Sequence, residues 1–177
     1  ANKLDASHYV LSLRHSPVLT RSYTANKKQL PPKLSNFKAV SGMFEFHWFE
    51  AGNEWSDPWS VDGHILSTAE VIAITKVSSF SAPNSYEAAM KSFNTLCVDR
   101  IGLCYFESKI LNLPINRVQN ECENLSGAVS PEYLLDQWQK GMMLDTTKLS
   151  IHIPQSPHEE HAIVFKMRLP RVNTTKK

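Results

Sequence analysis

Histidines, acids and cysteines are the residues here that could do chemistry. The chain has seven histidines and seventeen acids in 177 residues. The densest group is His158-Glu159-Glu160-His161. Metal-binding histidine pairs on helices need i, i+4 spacing and a third ligand. Here the spacing is i, i+3 and the run follows Pro157, so it reads as a solvated loop tip. His47, His64 and His152 would converge with Glu45, Glu50 or Asp62 if their strands paired, and such a group would suit a small His/carboxylate hydrolase. No G-x-S-x-G turn exposes a serine. The six glycines are scattered singly, so no phosphate-cradling loop is present. Cys97, Cys104 and Cys122 are odd in number and have no C-x-x-C spacing, which points away from a disulfide framework and towards an intracellular, reducing compartment. All three thiols are expected on apolar helical stripes, as small hydrophobes. No catalytic residue, metal, cofactor or small-molecule substrate is assigned from these residues.

Charge is more informative. The net charge of +2 is unevenly spread. Residues 1–40 carry seven Lys/Arg against one acid, a net +6; residues 41–147 carry six against fourteen, a net −8; residues 148–177 carry six against two, a net +4. Clustered cations attract phosphate backbones, anionic lipid or an acidic face of another copy. The candidate polyanion-binding residues are Arg14, Arg21, Lys27, Lys28, Lys33 and Lys38 at the front, and Lys166, Arg168 and Arg171 at the end.

Residues 43–59, MFEFHWFEAGNEWSDPW, hold six aromatic rings and three of the four tryptophans. A nucleic-acid stacking platform needs Lys or Arg beside the rings; this stretch has only Glu45, Glu50, Glu54 and Asp57. Core packing is the first reading, with Phe44, Phe46 and Trp48 on the inner face of a strand. Phe49, Trp55 and Trp59, around the following turn, are the candidate protein-interface residues. Pro31 and Pro32 read either as a docking motif for an aromatic groove or as a stiff connector.

The elements that must position these groups follow from periodicity and caps. Tyr9, Leu11 and Leu13 alternate as a short strand. Residues 15–38 look irregular. A strand is expected over 39–50 and another over the β-branched run 68–80. A helix is expected after Pro83, with Asn84 as N-cap and an apolar stripe of Met90, Phe93, Cys97 and Cys104; Gly102 offers an earlier stop that leaves IGLCYF as a strand. A further helix is expected over 113–127, on Ile115, Val118, Cys122 and Leu125. Ser130-Pro131-Glu132 is the strongest local signal, predicting a helix to about Lys140 with Gly141 as its stop. A hairpin of 149–153 with 163–169 closes the chain. The sum is an α+β fold: an antiparallel sheet, two to three helices between N- and C-terminal strands, and a flexible basic arm. The expected division is an arm over 1–38, one domain over 39–172 and a basic tail over 173–177.

In organisation, with a basic front, a proline-bearing segment and a compact α+β body, the chain resembles the matrix proteins of rhabdoviruses, especially the short ones of plant rhabdoviruses. Pro31-Pro32-Lys33-Leu34 lacks the tyrosine of that family's P-P-x-Y signal. The resemblance implies binding to nucleocapsid and to the inner face of a membrane, self-association, and a place in the cytoplasm or virion, without catalysis. The functional expectation is therefore a non-catalytic structural protein that self-associates and binds nucleic acid, nucleoprotein or an anionic membrane surface. A small hydrolase, a regulatory adaptor and a nucleic-acid-binding protein are the alternatives.

Overall fold

A computed structural model describes residues 4–23, 25–117 and 125–169. The chain is α+β, with antiparallel pairing dominant. It divides into two compact units: residues 1–112 with 153–159, and residues 113–152 with 160–177.

The first unit holds strands β1 (Tyr9–Ser12), β2 (Arg21–Ser22), β3 (Lys27–Lys28), β4 (Ser35–Asn36), β5 (Met43–His47) and β6 (His64–Ile65). Helices α1 (Thr68–Val77) and α2 (Pro83–Lys91) and strand β7 (Ile101–Tyr105) complete it. Five strands form one sheet in the order β4-β5-β7-β1-β6. β1 runs parallel to β7, from Tyr9↔Ile101 to Ser12↔Cys104; the other pairings are antiparallel. β2 and β3 make a separate hairpin. The front of the chain therefore supplies an inner strand and three more, where a flexible arm was expected. The reason is apolar area: Val10, Leu11, Leu19 and Phe37 are all buried, and burying a side chain of that size contributes about 1.5–3 kcal/mol.

Strand alternation splits the buried residues into two cores. Val10, Leu19, Phe46, Trp48, Trp55, Trp59, Ile74, Met90, Cys97 and Cys104 form one. Leu11, Phe37, Met43 and Leu103 form the other. Phe46 and Trp48 thus share an inner face with the partly buried Phe44, as their spacing indicates. Phe46 faces Gly102 across the ladder. A Cβ at Gly102 would meet the Phe46 ring at 2.3 Å, so the glycine makes room for the ring. Gly102 is the second residue of β7, within the strand that IGLCYF offered, and not a helix stop.

Residues 68–77 are helical, where the β-branched run suggests a strand. The Ser67 hydroxyl accepts from the Glu70 N–H at 3.5 Å, and Val71, Ile74 and Thr75 fall at helical spacing. Thr75 Oγ1 donates back to the Val71 carbonyl at 2.6 Å and lies 2.6 Å from the Tyr86 hydroxyl of α2. Local capping and one apolar stripe outweigh β propensity here. α2 begins at Pro83, with Ala82 as the cap residue in place of Asn84; the Ser85 hydroxyl accepts from the Ala82 N–H at 3.0 Å. It ends at Lys91, so Cys97 lies in a 3₁₀ turn and Cys104 in β7, both buried.

The second unit holds α3 (Pro131–Gln139), β8 (Met142–Leu144) and β9 (Phe165–Met167). Ser130 caps α3 by accepting from the Tyr133 N–H at 3.1 Å, and Gly141 takes φ +78°, as the sequence predicts. The hairpin pairs β9 with β8. Residues Leu149–Ile151, the expected partner, form a 3₁₀ turn instead. Residues 113–117 are not helical, and 118–124, with Val118 and Cys122, lie outside the described residues.

Candidate functional site

The basic surface is built on the β2–β3 hairpin. Asn26 takes φ +48° in the turn, a conformation that Asn tolerates, and its N–H donates to the Tyr23 carbonyl at 2.9 Å. Ser22, Tyr23 and Gln29 are buried and hold the hairpin down. The Thr20 and Arg21 N–H groups donate to the Gln155 carbonyl at 3.0 and 3.1 Å, and the Tyr23 N–H to Ser156 Oγ at 3.1 Å. The opposite side exposes Arg21, Lys27 and Lys28. Arg21 stands directly across from Lys28. Arg21 Nη2 donates to Asn26 Oδ1 at 3.0 Å. Lys33 and Lys38 are also exposed. None of Lys27, Lys28, Lys33 and Lys38 pairs with an acid among the described residues. Lys33 borders an open cleft of about 390 Å³ with Glu45, His47 and Glu50. His47, Glu45 and Glu50, near neighbours in the chain, line this cleft together, but His64 and His152 do not, so the expected convergence of the three histidines is not found there.

Other predicted residues are placed differently. Arg14 is buried, with Nη1 3.5 Å from Asp62 Oδ2, so it serves an internal acid and not an external polyanion. Lys166 pairs with Asp145 at 2.9 Å. The Arg168 guanidinium lies 3.7 Å over the Trp138 ring and donates to the Trp138 carbonyl at 2.7 Å. Arg171 lies outside the described residues. Trp55 and Trp59 have no exposed surface, which corrects their reading as interface residues. Trp59 Nε1 donates to the Phe93 carbonyl at 3.0 Å. Phe49 is exposed, at φ +72°. Pro32 is buried and Pro31 half-buried, so the pair anchors the chain and presents no free proline ridge. On the second unit Leu135 and Trp138 of α3 are more than half exposed, an apolar surface outside residues 43–59. The i, i+3 spacing of these two residues was its sequence signal.

A second group of polar residues gathers in the first unit, with Arg14 and His15 buried and Asp62, His64 and His158 half-buried. Asp62 Oδ2 receives His158 Nε2 at 3.2 Å, Asn112 Nδ2 at 3.1 Å and Arg14 Nη1 at 3.5 Å. The His158 hydrogen bond, foremost among these partners, pulls the Asp62 carboxyl down to about 2. Gly63, at φ +74°, turns the chain beside Arg14, and its carbonyl accepts from the Leu13 N–H at 2.8 Å. His64 Nδ1 meets the Pro58 carbonyl at 3.0 Å; burial, then Arg14, pulls its pKa down to about 3. His15 is fully buried and neutral for the same first reason. Its ring stacks on Trp55 at 4.4 Å and lies 5.4 Å from His64 and 5.8 Å from Trp48. Burial raises the Glu54 carboxyl, whose Oε1 accepts from Ser22 Oγ at 2.8 Å. With Nε2 turned to Asp62, His158 presents Nδ1 on its other side, the geometry of an acid–base dyad. That Nδ1 has neither accessible surface nor a hydrogen-bond partner, so no nucleophile is poised on it. No three donor atoms from His15, Glu54, Asp62 and His64 come close enough to share an ion. Cys97 and Cys104 are unreactive by burial, which pushes their thiols up to about 11 and 12.

No family model, curated protein or solved structure matches the chain. Among the described residues no helix is long and apolar enough to cross a membrane.

Proposed function

We propose that the protein is a non-catalytic binding and assembly protein that engages a polyanion through Arg21, Lys27, Lys28, Lys33 and Lys38 and associates with copies of itself. The observation that carries this reading is the register of the β2–β3 hairpin, where Arg21 stands opposite Lys28. Like charges directly opposite destabilise a ladder. Folding gains nothing from that pairing, whereas a bound polyanion offsets it. Of the two polyanions, an anionic bilayer suits the surface better than nucleic acid. Leu30, 78% exposed between Lys28 and Lys33, offers an apolar side chain amid cations. Tyr23, the hairpin's ring, is buried and provides no stacking platform. Self-association is supported by the exposed Leu135 and Trp138 of α3. The reading draws as well on the resemblance in charge organisation to rhabdovirus matrix proteins.

The test is co-sedimentation with phosphatidylserine-containing and phosphatidylcholine vesicles, beside binding to a single-stranded RNA, at low and high salt. Wild-type protein should bind the anionic vesicles and lose them as salt rises. The K27E/K28E double variant should bind at least about tenfold more weakly, since each basic residue near an anionic surface contributes about 1 kcal/mol. Equal binding by the variant, or no binding to either polyanion, would overturn the proposal; RNA binding alone would move the partner to nucleic acid.

A further inference from the structure

The buried group around His15 holds three N–H donors with no acceptor, and the two ring nitrogens of His15 itself are without a partner too. Arg14 Nε, Trp48 Nε1 and Trp55 Nε1 are each buried and lack a partner. All three groups can only donate. They gather about one ring: Arg14 precedes His15 in the chain, Trp55 stacks on it, and Trp48 lies edge-on to it. Buried polar groups in folded proteins are almost always matched, so three unmatched donors around one residue mark a place built to receive an acceptor.

We propose that Arg14, Trp48 and Trp55 form an internal binding site for a small oxyanion, a carboxylate or a phosphate, walled by His15 and His64. The charge has the right sign. Arg14 is the cation of the group, and its partner Asp62 is already shared with His158 and Asn112. His15 and His64 are neutral through burial and do not compete for the ligand as cations. Glu54 Oε2 has no partner, and burial raises the pKa of its carboxyl. His64 Nδ1 is committed to the Pro58 carbonyl, so its unpartnered Nε2 is an acceptor. That acceptor matches an oxyanion that retains a hydrogen, such as hydrogen phosphate. The site is distinct from the basic hairpin and takes a ligand of a few atoms.

The experiment is titration of the full chain with inorganic phosphate, and separately with acetate, read by thermal shift and by the indole N–H resonances. The ligand should raise the melting temperature and move the Trp48 and Trp55 N–H signals. Trp59, whose N–H is bonded to Phe93, and Trp138 should stay still. Trp48→Phe and Trp55→Phe remove one donor each and keep a ring, and each should weaken binding about tenfold. Glu54→Gln removes a carboxylate next to the site and should retain binding. The phosphate and acetate arms decide which oxyanion is preferred. No thermal shift with unmoved Trp48 and Trp55 signals in the wild type overturns the proposal and leaves internal water as the acceptor. Unweakened binding by both phenylalanine variants overturns it as well. The resonance measurement needs only wild-type protein, so a variant that fails to fold leaves the test intact.

Discussion

Two histidines, one glycine and one acid show how single residues acquire meaning from their surroundings. His64, with an ordinary value of 6.5, is held to about 3, and His15 is lowered in the same direction, both first by burial. Between those values the unfolded chain binds protons that the folded one refuses, so stability rises with pH. The stabilising effect is full above pH 6.5 and falls as the medium is acidified below it. Each histidine contributes a slope of about 1.4 kcal/mol per pH unit across its window. Asp62, held at about 2, has the carboxylate pattern, with stability present above its ordinary value of 3.8 and lost progressively as pH falls from there through about 2. Urea midpoints should therefore fall between pH 7 and pH 5, before Asp62 titrates, and His64→Gln should flatten that fall. An unchanged slope in the variant would remove His64 from the account. Gly102→Ala forces a Cβ into the Phe46 ring and should destabilise the protein by about 1–3 kcal/mol, as measured by chemical denaturation.

At the scale of elements, local signals succeeded where they act within a turn. Ser130, Pro131 and Gly141 delimit α3, because a cap is a contact between near neighbours in the chain. Ser130→Ala should cost about 1 kcal/mol, seen as a lowered unfolding midpoint. Propensity misled over 68–77, where the Ser67 cap and the packing of Val71 and Ile74 on the core set a helix. The β8–β9 pairing was missed because alternation marks Leu149, Ile151 and Ile153 as well as Met142 and Leu144. Only the register, with Asp145 accepting from Lys166 across the hairpin, separates the two.

At the scale of the whole molecule, the front of the chain is structural as well as basic. β1 lies between β7 and β6, and its Val10 and Leu11 enter different cores. Deleting residues 1–14 should abolish cooperative unfolding and the native circular dichroism spectrum, while K27E/K28E should keep both. A truncated chain that still unfolds cooperatively would show β1 to be dispensable. The charge excess of residues 1–40 survives in three dimensions as the exposed Arg21, Lys27, Lys28, Lys33 and Lys38, since long cationic side chains stay in water unless a partner compensates burial. Arg14 is the exception, because Asp62 compensates it.

What the sequence determined by itself is the α+β class, the capped helix at Ser130, the inner face of Phe44, Phe46 and Trp48, and the basic stretch that ends at Lys38. Each depends on periodicity, on a cap or on charge count, which are properties of neighbours in the chain. The tertiary structure alone decided that Trp55 and Trp59 are core, that Arg14 is internal, and that His158 meets Asp62 beside His15 and His64. Those outcomes depend on segments far apart in the chain being brought within a few ångströms. There burial sets the cost of every charge and hydrogen bond, and no local pattern carries that information.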